Sequence, residues 1–267
     1  MADQRSDEPA PLVTYLLIAL NCLVFLAGPS GVNPRYGATE AARACAAQHY
    51  QQRWGAVPAE LLSNRPLSPA QLAALTPPVP GCPLLATPHK VPALSVLTSL
   101  FVHGGWLHLL GNMLFLFIFG AGVEERFGRV RFLLFYLAVG VLAGYGYAAL
   151  GGHGPDSLRP LVGASGAIAG VLGGYLRLYP RARVTALVPA LLFLPLRLPA
   201  WLVLGLWFAV QWWSVRQVGS GVAYLAHVIG FSAGFLALWV AGRRAGYPGP
   251  ILPRPPTGGS PSPGAQP

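Results

Sequence analysis

Five polar side chains could do chemistry together in this sequence: His103, His108, Asn112, Ser165 and His227. A serine hydroxyl is a weak nucleophile, and an adjacent imidazole activates it by taking its proton. Amide and imidazole N–H groups can stabilise the oxyanion that such an attack creates. Ser165 lies in Gly163-Ala164-Ser165-Gly166, where the flanking glycines let another helix or a substrate backbone come close. The run continues with Ala167, so the soluble-hydrolase pattern G-x-S-x-G is absent and no strand-to-helix elbow is expected. Asn112 follows His108 by four residues, which puts both on one helix face. His103 precedes His108 by five residues, roughly 140° around an ideal helix. Gly104 and Gly105 intervene, so His103 is assigned to tying down the loop that enters the helix.

The elements that position these groups are apolar. Of 267 residues, 54% are hydrophobic and only 10% are charged, whereas soluble domains carry about 25% charged residues. The runs Pro11–Ala27, Trp106–Val123, Phe132–Leu150, Leu161–Leu178, Pro199–Val215 and Val222–Ala241 are each roughly 17–20 residues long, enough to cross a bilayer as helices. The first run follows Asp3, Asp7 and Glu8 rather than a basic segment, so it is read as a retained helix and not a signal peptide. Val184–Leu198 is also apolar, but it is short, broken by Pro189 and Pro195, and carries Arg197. It is read as interfacial. The predicted architecture is therefore an all-α membrane protein with six spans, set out as a cytoplasmic segment 1–10, a helical domain 11–246 with an outer loop 28–94, and a disordered Pro/Gly-rich tail 247–267.

Charge sets the orientation. The net charge of +10 collects at membrane edges: Arg126, Arg129 and Arg131, then Arg177, Arg181 and Arg183, then Arg243 and Arg244. That is the positive-inside pattern. It makes the lipid bilayer the acidic partner and excludes nucleic acid. Both termini are expected in the cytoplasm of a plasma-membrane protein. Spans two, four and six then enter from outside, so His103, His108, Asn112, Ser165 and His227 share a depth near the outer leaflet. A seven-span count would break up that cluster. Ionisable groups inside a membrane are costly and mark function.

Small residues say which helices meet. Gly166, Gly170 and Gly174 repeat every four residues, and Gly230 and Gly234 do the same after His227. Such faces allow close packing in lipid, which would bring Ser165 within hydrogen-bond reach of His227. No Asp or Glu lies in an outer half-span, so the pair is a dyad whose imidazole is oriented by something other than a carboxylate. A metal site is disfavoured because no two of these histidines are four residues apart and no carboxylate is near, so no metal and no cofactor is expected. Glu124, Glu125 and Arg126 fall at the opposite end of span two and read as a structural clamp. Cys45 and Cys82 both lie in the outer loop, an oxidising setting that permits a disulfide.

These motifs resemble the rhomboid family of intramembrane serine proteases. The matching pieces are His103-Gly-Gly-Trp-Leu-His108-Leu-Leu-Gly-Asn112, Gly120-Ala-Gly-Val-Glu124-Glu-Arg126-Phe-Gly128, Gly163-Ala-Ser165-Gly166, and Ala226-His227-Val-Ile-Gly230-Phe-Ser-Ala-Gly234. The resemblance implies a six-helix core open to the outside. It implies Ser165 as nucleophile, His227 as base, and His108 and Asn112 in the oxyanion hole, with His103, Gly163, Gly166 and Gly230 as structural neighbours. The implied substrates are single-span membrane proteins. Two positions depart from the family pattern: Ala169 stands where some members stack a tyrosine on the histidine, with Tyr224 as a candidate substitute, and Arg53-Trp54 reverses a Trp-Arg pair. The alternative of another class is a non-catalytic rhomboid-like protein that binds membrane helices.

Overall fold

The computed structural model describes residues 10–30, 32–73, 75, 79–152, 154–188, 194–216 and 222–244. The expected tail 247–267 and most of the segment 1–10 lie outside the described residues. In chain order, α1 spans Leu12–Ala27, followed by α2 (Glu40–Trp54), α3 (Pro58–Ser63), α4 (Pro69–Ala73) and α5 (Pro92–Thr98). Then come α6 (Trp106–Phe115), α7 (Ala121–Phe127), α8 (Arg129–Leu150), α9 (Ser165–Leu178), the strands β1 (Arg183–Val188) and β2 (Leu194–Pro199), α10 (Ala200–Ser214) and α11 (Tyr224–Arg244). A π-helical stretch, Leu116–Gly120, joins α6 to α7, making one continuous helix Trp106–Phe127. Among the described residues, that helix, Arg129–Leu150 and Tyr224–Ala241 are long and apolar enough to cross a membrane, and α1 is a shorter apolar helix.

The central helix is α9, with every residue from Gly166 to Gly174 buried. Its small side chains are the reason. A Cβ on Gly230 would collide with the Gly166 carbonyl oxygen, and one on Gly234 with the Gly170 carbonyl oxygen. One on Gly173 would run into the Phe231 backbone. Thus α9 and α11 pack backbone to backbone through the expected glycines, with Gly173 rather than Gly174 completing the closest face. Gly174 instead meets the Leu238 and Phe135 side chains. Phe132, Tyr136, Val171 and Leu172 fill the core around this contact, each at 1% exposure or less.

Glu124 fastens α1 to this core. Its carboxylate accepts the Val13 N–H at 2.9 Å, the Thr14 N–H at 2.7 Å and the Thr14 hydroxyl at 2.8 Å. It therefore satisfies donors that the first turn of any helix leaves unpaired, and negative charge at that end suits the helix dipole. The clamp expected from Glu124 is this cap.

The segment from α2 to α5 is ordered by a few long-range ties. A disulfide joins Cys45 to Cys82 across 37 residues. Lys90 and Glu60 pair at 2.6 Å with side chains 2% and 3% exposed, and Lys90 also donates to the Gln52 carbonyl at 2.7 Å. Burial pushes the Lys90 ammonium below the usual lysine range, and the bonded Glu60 carboxylate opposes that shift. Ala56 exchanges two backbone hydrogen bonds with Leu161, at 3.0 and 2.7 Å. This segment thus grips the chain four residues before Ser165.

The all-α expectation is corrected in one place. Residues of the Val184–Leu198 stretch form an antiparallel two-stranded ribbon, with Arg183 opposite Pro199 and Val188 opposite Leu194. Val184 and Thr185 are β-branched and fit a pleated strand. Pro195 and Pro199 lack the N–H that a helix interior needs, and they are tolerated on a strand with a free edge.

Candidate active site

Ser165 is the first residue of α9, and Ala164 before it is the N-cap. The N–H groups of a first helical turn have no carbonyl one turn back to bond, so those of Ser165 and Gly166 are donors at the positive end of the helix dipole. The approach to this turn is fixed by Gly163, whose φ is +115° and whose N–H donates to the Ser99 carbonyl at 2.9 Å. A side chain there would be strained and would also strike the His108 ring.

His227 sits in the first turn of α11. Because α9 and α11 touch along their glycine faces, the two side chains meet: His227 Nε2 lies 2.8 Å from Ser165 Oγ. The other ring nitrogen, Nδ1, lies 2.8 Å from Gln211 Oε1 on α10. Trp207, one turn before Gln211, has its ring centroid 6.2 Å from that of His227 at an interplanar angle of 31°, and Tyr224 approaches edge-on at 6.3 Å and 88°. Ala169 is buried. Trp207 and Tyr224 therefore flank the imidazole, and Tyr224, the candidate substitute for the tyrosine absent at Ala169, meets it edge-on.

His108 and Asn112 project from α6 on the other side of Gly163. A Cβ built on Gly163 would lie 2.5 Å from His108 Nε2 and 3.5 Å from Asn112 Nδ2. The Asn112 amide nitrogen also lies 2.9 Å from His103 Nε2, in a buried contact. The loop histidine thus does more than anchor the entry to α6: it takes one of Asn112's two amide hydrogens and leaves the other for the Gly163 side. His103 and His108 stack edge to face at 5.1 Å.

A cavity of about 860 Å³ opens over this group, lined by His108, Asn112, Gly163, Ser165, Gln211 and His227 among others. A carbonyl entering it would meet a hydroxyl already bonded to an imidazole, with N–H donors on the far side of Gly163. That is the arrangement acyl transfer requires. Of the two α10 neighbours of His227, Trp207 reads from sequence as an interfacial-belt aromatic like the other tryptophans of its span, whereas its ring faces the imidazole, and Gln211 carries no reading from sequence. The available signal was one carboxamide inside the apolar run Pro199–Val215. Elsewhere, Cys45, His49 and Cys82 bring three possible metal-ligand atoms within 4.8 Å, but the disulfide occupies both sulfurs. Arg53 lies over the Trp54 ring at 5.4 Å, so the reversed pair makes its own cation–π contact.

Comparison with known proteins bears on the whole arrangement. The sequence model of the Rhomboid domain matches residues 92–244, which carry all five polar side chains. The chain belongs to the rhomboid family. Among similar curated proteins, the putative rhomboid protease YdcA of Bacillus subtilis is 38% identical over 85 residues, 30% of this chain and 39% of that protein. RHOMBOID-like protein 4 of Arabidopsis thaliana is 34% identical over 148 residues, 53% of this chain and 32% of that protein. Rhomboid-related protein 2 of Mus musculus is 33% identical over 155 residues, 57% of this chain and 49% of that protein. The chain thus spans less than half the length of each of these relatives. Its rhomboid domain and apolar helices make it an integral membrane protein.

Proposed function

We propose that this rhomboid chain is an intramembrane serine endopeptidase. The observation that carries the reading is the 2.8 Å contact between Ser165 Oγ and His227 Nε2 at the floor of an open cavity. In the first step Ser165 Oγ attacks the scissile carbonyl while its proton passes to His227 Nε2. Charge on the carbonyl oxygen is met by the Ser165 N–H, Asn112 and His108. The imidazolium then gives the proton to the leaving amine, and water repeats the sequence to release the acyl group.

Residues 11–246 are proposed as one six-span domain with 28–94 as its outer loop, its termini in the cytoplasm of a plasma-membrane protein. Helix length supports the depth of the site. The 14 residues of α9 rise only about 21 Å at 1.5 Å each, against a hydrocarbon core of about 30 Å. If Leu178 lies at the inner boundary, Ser165 is sunk roughly 9 Å below the outer one, and water and substrate reach it through the cavity. The proposed substrates are single-span membrane proteins cut near their outer boundary. Their helix must unwind locally to expose a peptide bond, which Gly, Ala or Pro makes easier.

The test is cleavage of a reporter membrane helix by the reconstituted chain. Ser165→Ala and His227→Ala should each abolish it, and their losses should not add, because the two groups act as one unit. Wild-type activity in Ser165→Ala contradicts the proposal, as does a correctly folded wild-type chain that cleaves no reporter and binds helices instead.

A further inference from the structure

We infer that Gln211 is the positioning residue that holds His227 in the tautomer able to take the Ser165 proton, an inference that rests on the dyad reading above. A neutral imidazole carries one N–H and one lone pair. For the Ser165 hydroxyl to donate to Nε2, the lone pair must be on Nε2 and the hydrogen on Nδ1. That Nδ1–H then needs an acceptor, and Gln211 Oε1 stands 2.8 Å from it.

The local sequence explains why an amide does this work. Helix α10, Ala200–Ser214, contains no ionisable side chain. A carboxylate here would have to be desolvated without a full counter-charge, which works against the folded state. A carboxamide oxygen accepts the same hydrogen bond with no net charge to desolvate. Polar side chains on membrane helices turn toward the bundle interior and pair, and Gln211 does so at one atom of one residue. Trp207 lies one turn earlier on the same face of α10, and its ring is tilted by 31° to the imidazole plane. The aromatic face limits ring tilt and the amide oxygen selects the nitrogen that bears hydrogen. Together they fix both the plane and the tautomer of His227 from a helix that contributes neither dyad residue. The amide also has a failure mode that a carboxylate lacks: turned over, its NH₂ would donate to Nδ1, place the hydrogen on Nε2 and switch the dyad off.

The test uses the purified full chain in detergent, a fluorophosphonate probe and two variants of similar size. Gln211→Met removes the acceptor and keeps the chain length, and Gln211→Glu keeps an oxygen at the same reach. Labelling of Ser165 should slow roughly 10–100-fold in Gln211→Met, the scale of a misplaced catalytic group, and should stay within a few-fold of wild type in Gln211→Glu. The melting temperature should be close to wild type in Gln211→Met and lower in Gln211→Glu, which carries the desolvation cost of a carboxylate. In ¹⁵N-histidine spectra, wild-type His227 should report hydrogen on Nδ1, and Gln211→Met should report a mixture. Labelling within twofold of wild type in Gln211→Met, with the Nδ1–H tautomer unchanged, overturns the inference and leaves the dyad intact. Equal slowing in both variants, in step with lowered melting temperature, also overturns it by assigning Gln211 to packing alone. A folded wild type that labels no faster than Ser165→Ala fails at the dyad itself, and the role of Gln211 falls with it.

Discussion

Replacing Gly163 with alanine perturbs the site through one methyl group whose consequences can be worked out separately. The backbone at φ +115° lies where an L-residue is penalised, by at least about 1–2 kcal/mol. The new Cβ would stand 2.5 Å from His108 Nε2 and 2.7 Å from His108 Cε1, about 1 Å inside ordinary van der Waals contact. The Gly163 N–H is already committed to Ser99, so the imidazole must move instead, by about 1 Å. Misplacement on that scale costs roughly 10²-fold in rate. Gly163→Ala should therefore lower kcat on a membrane-helix reporter by about 10²-fold, leave KM nearly unchanged and reduce thermal stability modestly. The steric part can be isolated in a double variant. Removing the ring in His108→Ala relieves the clash, so Gly163→Ala should destabilise that background less than it destabilises wild type. A Gly163→Ala protein with kcat within twofold of wild type and an unchanged melting temperature would refute both the conformational and the steric argument.

Other perturbations read different parts of the account. Asn112→Ala should lower kcat by roughly 10²–10³-fold with KM little changed, because the amide acts mainly on the transition state. A normal kcat in a protein of lower melting temperature would make Asn112 a structural partner of His103 only. Glu124→Gln weakens the cap on α1 and should cost about 1–3 kcal/mol of stability, measured by thermal unfolding in detergent, with kcat of the folded protein unchanged. A change in kcat at constant stability would contradict its remoteness from the dyad. Reducing the Cys45–Cys82 bond should destabilise the α2–α5 segment by about 4 kcal/mol on the chain-entropy account of a 37-residue loop. Protection of that segment in hydrogen exchange, with and without dithiothreitol, reads the effect.

The meeting of Ser165 and His227 could be read from sequence because lipid makes two signals strong. Polar residues are rare in apolar runs, so their shared depth is visible. Glycines at four-residue spacing mark faces that approach closely, and the α9–α11 contact uses them. The choice of Gly173 over Gly174 was hidden, since it depends on the azimuth at which the two helices cross. The β1–β2 ribbon was hidden because prolines and short length rule out a spanning helix without specifying what replaces it. Gln211 was passed over because one amide in an apolar run has no partner until α10 is placed against α11. The Ala56–Leu161 bridge pairs backbone atoms 105 positions apart in the chain, and no side-chain pattern announces it. The role of His103 was seen only in part. Its separation from His108 suggested a loop anchor, whereas its bond to Asn112 depends on how Gly104 and Gly105 turn the chain.

If Ser165 is a nucleophile activated by His227, covalent capture reports it through both the site and the rate of modification. The full chain is treated in detergent with a fluorophosphonate, digested and mapped by mass spectrometry. The expected result is one adduct on the peptide containing Ser165, formed in wild type, lost in Ser165→Ala and slowed by at least about 10³-fold in His227→Ala at unchanged thermal stability. An adduct on another serine, no adduct on the folded wild type, or labelling of Ser165 that is indifferent to His227 would contradict it.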